Sequence, residues 1–166
     1  MLQKQGLNEQ AEHAYLTAIK WNEDAAASKP PGSLSIQSFD FSGLLNLYRT
    51  EGRLNDMEPI IRHAIEIQEQ FLGPRDSHLA QTLLTLADVY QEDSSDVKQW
   101  PQAEALYARA LDIQQEKLGY DHVELLPALT TYVSLLYKLH KDSKAAEIQS
   151  RIERIQAKLH QQHLTN

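Results

Sequence analysis

The sequence has no cysteine, only 7% aromatic residues and no long apolar segment. Without cysteine, the 166-residue chain can form neither a disulfide nor a thiolate metal or redox centre. No apolar run approaches the roughly 18 residues that a membrane-spanning helix needs, so we expect no membrane segment. The opening residues MLQKQGLNEQ lack the apolar core of a secretion signal, which favours a cytoplasmic location.

Positive charge is also scarce, since 16 Lys and Arg face 23 Asp and Glu and the net charge is −7. The basic residues are dispersed, so binding to nucleic acid through its phosphates is not expected. The sequence has no phosphate loop, dinucleotide glycine motif or HExxH motif. No set of side chains converges on a catalytic or metal-binding pattern. We therefore predict that the chain is not an enzyme and has no catalytic residue, cofactor or metal ligand.

A frame of small and large residues is repeated along the chain. Ala11, Met57, Ala103 and Ala145 lie 46, 46 and 42 residues apart. A second set follows seven residues after each of them: Ala18, Ala64, Ala110 and Ile152. Between the two sets lie Tyr15, Ile61, Tyr107 and Gln149, and we predict that Tyr107 is a core residue. Seven residues make about two helical turns, so each pair shares one face of a helix. The small side chains on that face predict a neighbouring helix close to the backbone.

Another apolar stripe precedes each of the last three copies. It reads Phe41-x2-Leu44-Leu45-x2-Tyr48, Leu83-x2-Leu86-Ala87-x2-Tyr90 and Leu129-x2-Tyr132-Val133-x2-Leu136. Its i, i+3, i+4, i+7 spacing is helical, so each unit is predicted to be a pair of helices. The seven predicted helices are 2–27, 36–51, 55–71, 78–92, 100–117, 125–139 and 143–160.

Glycines mark the predicted turns. Gly73 and Gly119, each after a Leu, suit helix ends that need a positive φ. Gly52 serves the turn inside its unit, and His140 takes the equivalent place in the last unit at a steric cost. His78 and His122 follow the two Leu-Gly turns, and we interpret them as residues that shape helix N-termini.

The stretch YRTEGRLNDMEPIIRHAIEIQEQFLGPRDSHLAQTLLTLADVY resembles the tetratricopeptide repeat, in particular the roughly 42-residue variety of kinesin light chains. The LG-P-D-H linker and the EP of the second helix carry the likeness. The resemblance implies an all-α fold, a right-handed α-solenoid of helix-turn-helix repeats, in a single repeat domain over 1–166. Its predicted parts are an incomplete first repeat (1–34), a second (35–76), a third with a four-residue insertion (77–122) and a fourth with a C-terminal capping helix (123–166). The face of the capping helix away from its apolar stripe carries Gln, Arg, Glu, Lys and His, and we expect it to be exposed.

The resemblance further implies a non-catalytic scaffold that binds a protein or peptide segment in a concave groove. The first helix of each unit lines that groove. The predicted groove residues are Asn46, Arg49, Leu84, Thr85, Asp88, Gln91, Thr131, Ser134, Tyr137 and Lys138. The alternative is a structural or oligomerisation segment of a longer repeat array.

The first unit lacks most of its first helix, because only five residues precede Gly6. Either the chain is the C-terminal piece of a longer array, or another chain covers the exposed helix. In the second case, an apolar edge would pair two copies as a homodimer. The predicted edge residues are Leu7, Ala11, Ala14, Tyr15 and Ala18.

Overall fold

The computed structural model describes residues 9–10, 12–14, 16–17, 20, 24, 42–92 and 97–164. Six α-helices follow one another: α1 (Ser42–Glu51), α2 (Leu54–Phe71), α3 (Ser77–Glu92), α4 (Trp100–Leu118), α5 (Leu126–Lys138) and α6 (Asp142–Leu164). Short 3-10 turns lie at Val97–Gln99 and Val123–Leu125. The described residues before 42 are helical as well, and no strand occurs in the described ranges.

The helix predictions from 55–71 to 143–160 are confirmed, with most ends within about a turn of the predicted ones. The ends of 2–27 and the start of 36–51 lie outside the described residues. None of the described helices combines the length and the hydrophobicity that crossing a membrane requires.

The chain divides into two compact units, residues 1–76 and 77–166. In the first unit, α1 packs on α2 around buried Leu44, Tyr48, Met57 and Ile61. The hydroxyl of Tyr48 donates a 2.6 Å hydrogen bond to Glu12 in the N-terminal helical segment. The Glu12 carboxylate also accepts a 2.8 Å hydrogen bond from Arg53, which precedes the first residue of α2. The N-terminal segment is therefore tied to α1 and to the start of α2. The single repeat domain over 1–166 stays a prediction.

In the second unit, α3 packs mainly against α4, and α5 mainly against α6. The predicted stripes form its core. The buried side chains at the predicted frame positions are Leu83, Leu86, Ala87, Tyr90, Ala103, Tyr107, Ala110, Leu129, Tyr132, Val133, Leu136, Ala145 and Ile152. The 3.6-residue period of the sequence therefore predicts the buried faces of all four helices.

Replacing Ala110 with Leu is expected to lower the free energy of unfolding by about 1–3 kcal/mol through overpacking. Ala110 is 0% exposed, so the added carbons have no solvent to enter. Chemical denaturation monitored by circular dichroism measures the loss. Ala108→Leu is the matched control, because Ala108 lies on the exposed side of the same helix and should tolerate the change. Equal stability of Ala110→Leu and the wild type would contradict the close helix contact.

The predicted turn residues have positive φ angles, which confirms their roles. Gly52 has φ 70°, Gly73 94° and Gly119 96°. His140 has φ 56° and is the only non-glycine residue with positive φ in the described chain. Its amide donates to the Tyr137 carbonyl at 3.0 Å, so the left-handed conformation closes the end of α5 despite the Cβ atom.

His140→Gly is expected to raise the free energy of unfolding by about 0.5–1 kcal/mol. The left-handed conformation costs an ordinary residue about 1–2 kcal/mol, part of which the added freedom of unfolded glycine cancels. Denaturant midpoints of the variant and the wild type give the difference. Gly52→Ala, whose Cβ would meet nothing within 4 Å, should lose stability through its φ of 70° alone. A lower midpoint for His140→Gly would show that the imidazole itself stabilises the turn.

Two charged residues are buried, which is uncommon for charged side chains. Glu104 is 9% exposed and accepts from Lys141 at 2.5 Å and from Lys144 at 3.0 Å. Arg151 is 6% exposed, although we predicted the Arg residues of the capping helix on its polar face. Its guanidinium donates to the carbonyl of Tyr120 from both Nε, at 3.0 Å, and a terminal nitrogen. The prediction is wrong for Arg151 because the turn after α4 presents a carbonyl that needs a donor.

Candidate functional site

Helices α3 and α5 face each other along a surface that we call the α3–α5 face. On α3 it consists of Gln81, Leu84, Asp88 and Gln91, which recur at helical spacing and so project from one side. A long hydrogen bond of 3.5 Å from Gln91 Nε2 to the Ser134 hydroxyl joins the two helices. The face continues on α5 through Pro127, Ala128 and Thr131.

A hollow of about 180 Å³ lies in the α3–α5 face. Its polar lining residues are Gln81, Asp88, Tyr107, Gln114, Glu124 and Thr131, and its apolar ones are Leu84, Pro127 and Ala128. The hollow thus combines apolar walls with several hydrogen-bonding groups, as a site for a side chain requires. The polar groups come from α3, α4, α5 and the 3-10 turn before α5, so only the folded unit brings them together.

Tyr107 reaches from α4 towards α3 and lies on the hollow. Its hydroxyl donates to a carboxylate oxygen of Asp88 and also lies 3.2 Å from Gln91 Oε1. Burial, and then the Asp88 carboxylate, raise the pKa of Tyr107 well above its ordinary value. The phenol therefore stays protonated. Its ring stacks on that of Tyr132, with centroids 5.5 Å apart, which fixes the position of the hydroxyl.

The structure distributes the predicted groove residues unevenly. Leu84 is 7% exposed and so contributes a wall and little free surface. Thr85 and Thr131 are half-buried, and each hydroxyl donates to the carbonyl four residues earlier, at 3.0 Å. Asp88 and Gln91 engage Tyr107 as described above. These residues are therefore already held in place by the protein before any partner binds.

The C-terminal part of α5 is more open. Tyr137 is 49% exposed, an unusual exposure for a large aromatic side chain. Lys138 extends its ammonium over the ring of Trp100, 5.6 Å from the centroid. In the first unit, Asn46 and Arg49 are exposed on α1. The grouping of all ten residues in one groove stays a prediction.

Sequence reasoning missed several residues of the hollow: Gln81, Tyr107, Gln114, Glu124, Pro127 and Ala128. Gln81 was within reach, because it precedes Leu84 by one helical turn on the same stripe. Tyr107 was predicted as core, which is confirmed, but its hydrogen bond to Asp88 depends on how α4 packs on α3. Glu124 lies in a 3-10 turn whose orientation the helical period does not define.

The predicted role of the linker histidine is confirmed for His122. Its Nδ1 accepts a 3.3 Å hydrogen bond from the Glu124 amide, and His122 caps the 3-10 turn Val123–Leu125. The imidazole thus stabilises the start of the segment that carries Glu124. Within the described part of the chain, no three His, Asp or Glu side chains are grouped so that they could share a metal ion.

The predicted N-terminal edge falls almost entirely outside the described residues. Of its five members only Ala14 is described, and it is helical and exposed. Leu7, Ala11, Tyr15 and Ala18 lie outside the described residues. Homodimer formation through this edge, and with it the oligomerisation alternative, stays a prediction.

Tyr15→Glu is expected to convert a dimer into a monomer in sedimentation velocity at high concentration. A wild-type chain that sediments as a monomer at high concentration would contradict the predicted dimer.

Comparison with known proteins relates one segment of this chain to a known repeat family. Residues 79–124 match the family model of a tetratricopeptide repeat. The matched segment runs from the start of α3 to the 3-10 turn before α5, which is one helix pair with its linker. This segment is similar to one tetratricopeptide repeat, as the frame predicted.

The crystal structure of BtubC (BKLC) from P. vanneervenii is similar, with a TM-score of 0.72 and 21% sequence identity. The similarity covers 94% of this chain and 58% of that protein, so this chain spans little more than half of its length. It confirms the all-α, solenoid type of fold. No curated protein matches the sequence. Tetratricopeptide repeats generally mediate protein–protein interaction and are non-catalytic units.

Proposed function

We propose that this protein is an interaction scaffold that binds a segment of a partner protein along the α3–α5 face. The observation that carries the proposal is the hollow between the first helices of two successive repeats, which has polar and apolar walls. Solenoid repeats present extended surfaces of this kind to partner chains. A short segment that lies along α3 and α5 would place a side chain into the hollow.

The exposed end of α5 extends the proposed contact. Tyr137 exposes a large aromatic surface on α5, the helix that also carries Pro127, Ala128 and Thr131 of the hollow. Aromatic residues contribute disproportionately to binding energy when a partner covers them. Ser134 is exposed and holds the Gln91 amide across the two helices. Because hydrogen bonds already hold Asp88, Gln91 and Thr131, these side chains lose less conformational entropy when a partner binds.

A peptide display library selected against the immobilised chain tests this proposal. Thr131→Arg places a bulky side chain at the hollow and is expected to weaken the selected peptides by about tenfold or more, because buried contacts are lost. Ala157→Arg, on the exposed side of α6, adds the same side chain away from the face and should leave their affinity unchanged. If the selected peptides bind Thr131→Arg and Ala157→Arg with the same affinity as the wild type, the α3–α5 face is not their binding site.

A further inference from the structure

We infer that the partner segment presents a basic side chain, arginine or lysine, and that this side chain occupies the hollow of the α3–α5 face. The inference rests on the proposed function and adds the chemistry of the partner. It follows from the charge, the shape and the hydrogen-bonding groups of the hollow.

Both charged residues that line the hollow are acidic. Its charged lining residues are Asp88, from α3, and Glu124, from the 3-10 turn before α5, and no Lys or Arg is among its described lining residues. Glu92, one turn after Asp88, also acts electrostatically on Tyr107 at the same place. An anionic side chain would meet these carboxylates and be repelled, whereas a cation would gain an attractive interaction that water only partly screens.

Asp88 is held in place by Tyr107. The Tyr107 hydroxyl donates a hydrogen bond to one of its carboxylate oxygens. Glu124 is exposed, so its carboxylate is within reach of a group that arrives from solvent.

The remaining lining suits the long stem and the donors of a basic side chain. Leu84, Pro127 and Ala128 provide apolar walls against which a methylene chain can pack while its charged head meets the carboxylates. Gln114 Oε1 is buried and accepts no hydrogen bond from any described residue. An unsatisfied buried acceptor of this kind is costly, and a guanidinium or ammonium N–H would satisfy it after a small rotation of the amide.

A titration of the full chain with two short peptides tests the inference. The peptides are acetyl-Gly-Ala-Arg-Ala-Gly-amide and the same sequence with citrulline, which keeps the shape of arginine without its charge. Two-dimensional NMR spectra of the labelled protein at low salt are expected to show saturable shifts for amides around the hollow. The citrulline peptide should bind about tenfold more weakly or worse, and added salt should weaken the arginine peptide.

Variants of this protein give the second arm. Glu124→Gln, and more strongly Asp88→Asn combined with Glu124→Gln, are expected to reduce the affinity for the arginine peptide by about tenfold. Asn at position 88 can still accept from Tyr107, and Glu124 is exposed, so the fold should persist; if the double variant is unfolded, Glu124→Gln alone decides. Glu147→Gln, exposed on α6, is the matched control and should bind like the wild type.

Equal affinity for the two peptides, shifts elsewhere on the protein, or an unchanged affinity of Glu124→Gln would overturn the inference. If library peptides then still depend on Thr131 but lack basic residues, the scaffold function stands and only the chemistry of the partner is wrong. Library peptides insensitive to Thr131→Arg would instead refute the proposed function itself.

Discussion

Replacing both Lys141 and Lys144 with alanine is expected to lower the free energy of unfolding by about 3 kcal/mol. Both ammonium groups bond the carboxylate of Glu104, whose side chain is only 11% exposed, whereas the lysines are roughly half exposed. The double variant would leave a buried carboxylate without a cation. Such an unpaired charge costs far more than the loss of an exposed ion pair.

The pH dependence of this loss has a defined sign. Burial raises the pKa of Glu104, but the hydrogen bonds from Lys141 and Lys144 outweigh it and hold the pKa below its ordinary value of 4.5. A carboxyl group with a depressed pKa stabilises the folded state above its unfolded pKa and loses that contribution as the pH falls through the folded pKa. In the double variant only burial remains, so the pKa should lie above 4.5. The stability difference between wild type and variant should therefore shrink as the pH falls from the raised pKa of the variant towards the lowered pKa of the wild type.

Urea denaturation between neutral pH and the acid transition measures both effects. Glu104→Gln added to the double lysine variant is the control, because it removes the buried charge and should recover most of the loss. If the double lysine variant has the urea midpoint of the wild type at neutral pH, water must solvate the Glu104 carboxylate. In that case the interpretation is wrong.

The second large effect is expected for Arg151→Met, which should cost about 2–3 kcal/mol. Met keeps much of the volume but donates no hydrogen bond. The carbonyl of Tyr120, at the turn after α4, would lose both guanidinium donors. The variant also loses the stacking of the guanidinium on the Tyr120 ring, 3.7 Å from the centroid. Because α6 is docked on this turn through Arg151, its C-terminal half should open first.

Hydrogen exchange of the α6 amides, together with denaturant unfolding, tests this expectation. Arg154→Met is the matched control one turn along the helix. Arg154 is about half exposed and pairs with Asp121 at 3.0 Å, so water can replace the interaction and the loss should be much smaller. Arg151→Lys should be intermediate, since one ammonium cannot reproduce the planar fork. Similar protection of α6 in Arg151→Met and Arg154→Met would show that the Tyr120 carbonyl is satisfied by water.

The sequence by itself determined the helices, their buried faces and their turns. The frame residues Ala103, Tyr107 and Ala110 share one face because the helical period alone places them there, and all three are buried. Gly119 and His140 mark helix ends because a left-handed turn is a local property of the backbone. Such local features need no knowledge of which helix packs opposite.

Only the tertiary structure decided which polar residues are buried and which of them contact one another. Glu104 and Arg151 are charged residues on helices with polar faces, and nothing in their spacing distinguishes them from exposed neighbours. Glu104 is buried because the packing of α5 and α6 brings Lys141 and Lys144 to its carboxylate. Arg151 is buried because the turn after α4 places the Tyr120 carbonyl within hydrogen-bond distance of its guanidinium. The hollow formed in the same way, since Asp88, Tyr107 and Glu124 lie on three different elements. Period and propensity define one helix at a time, whereas a polar site depends on the distances between helices.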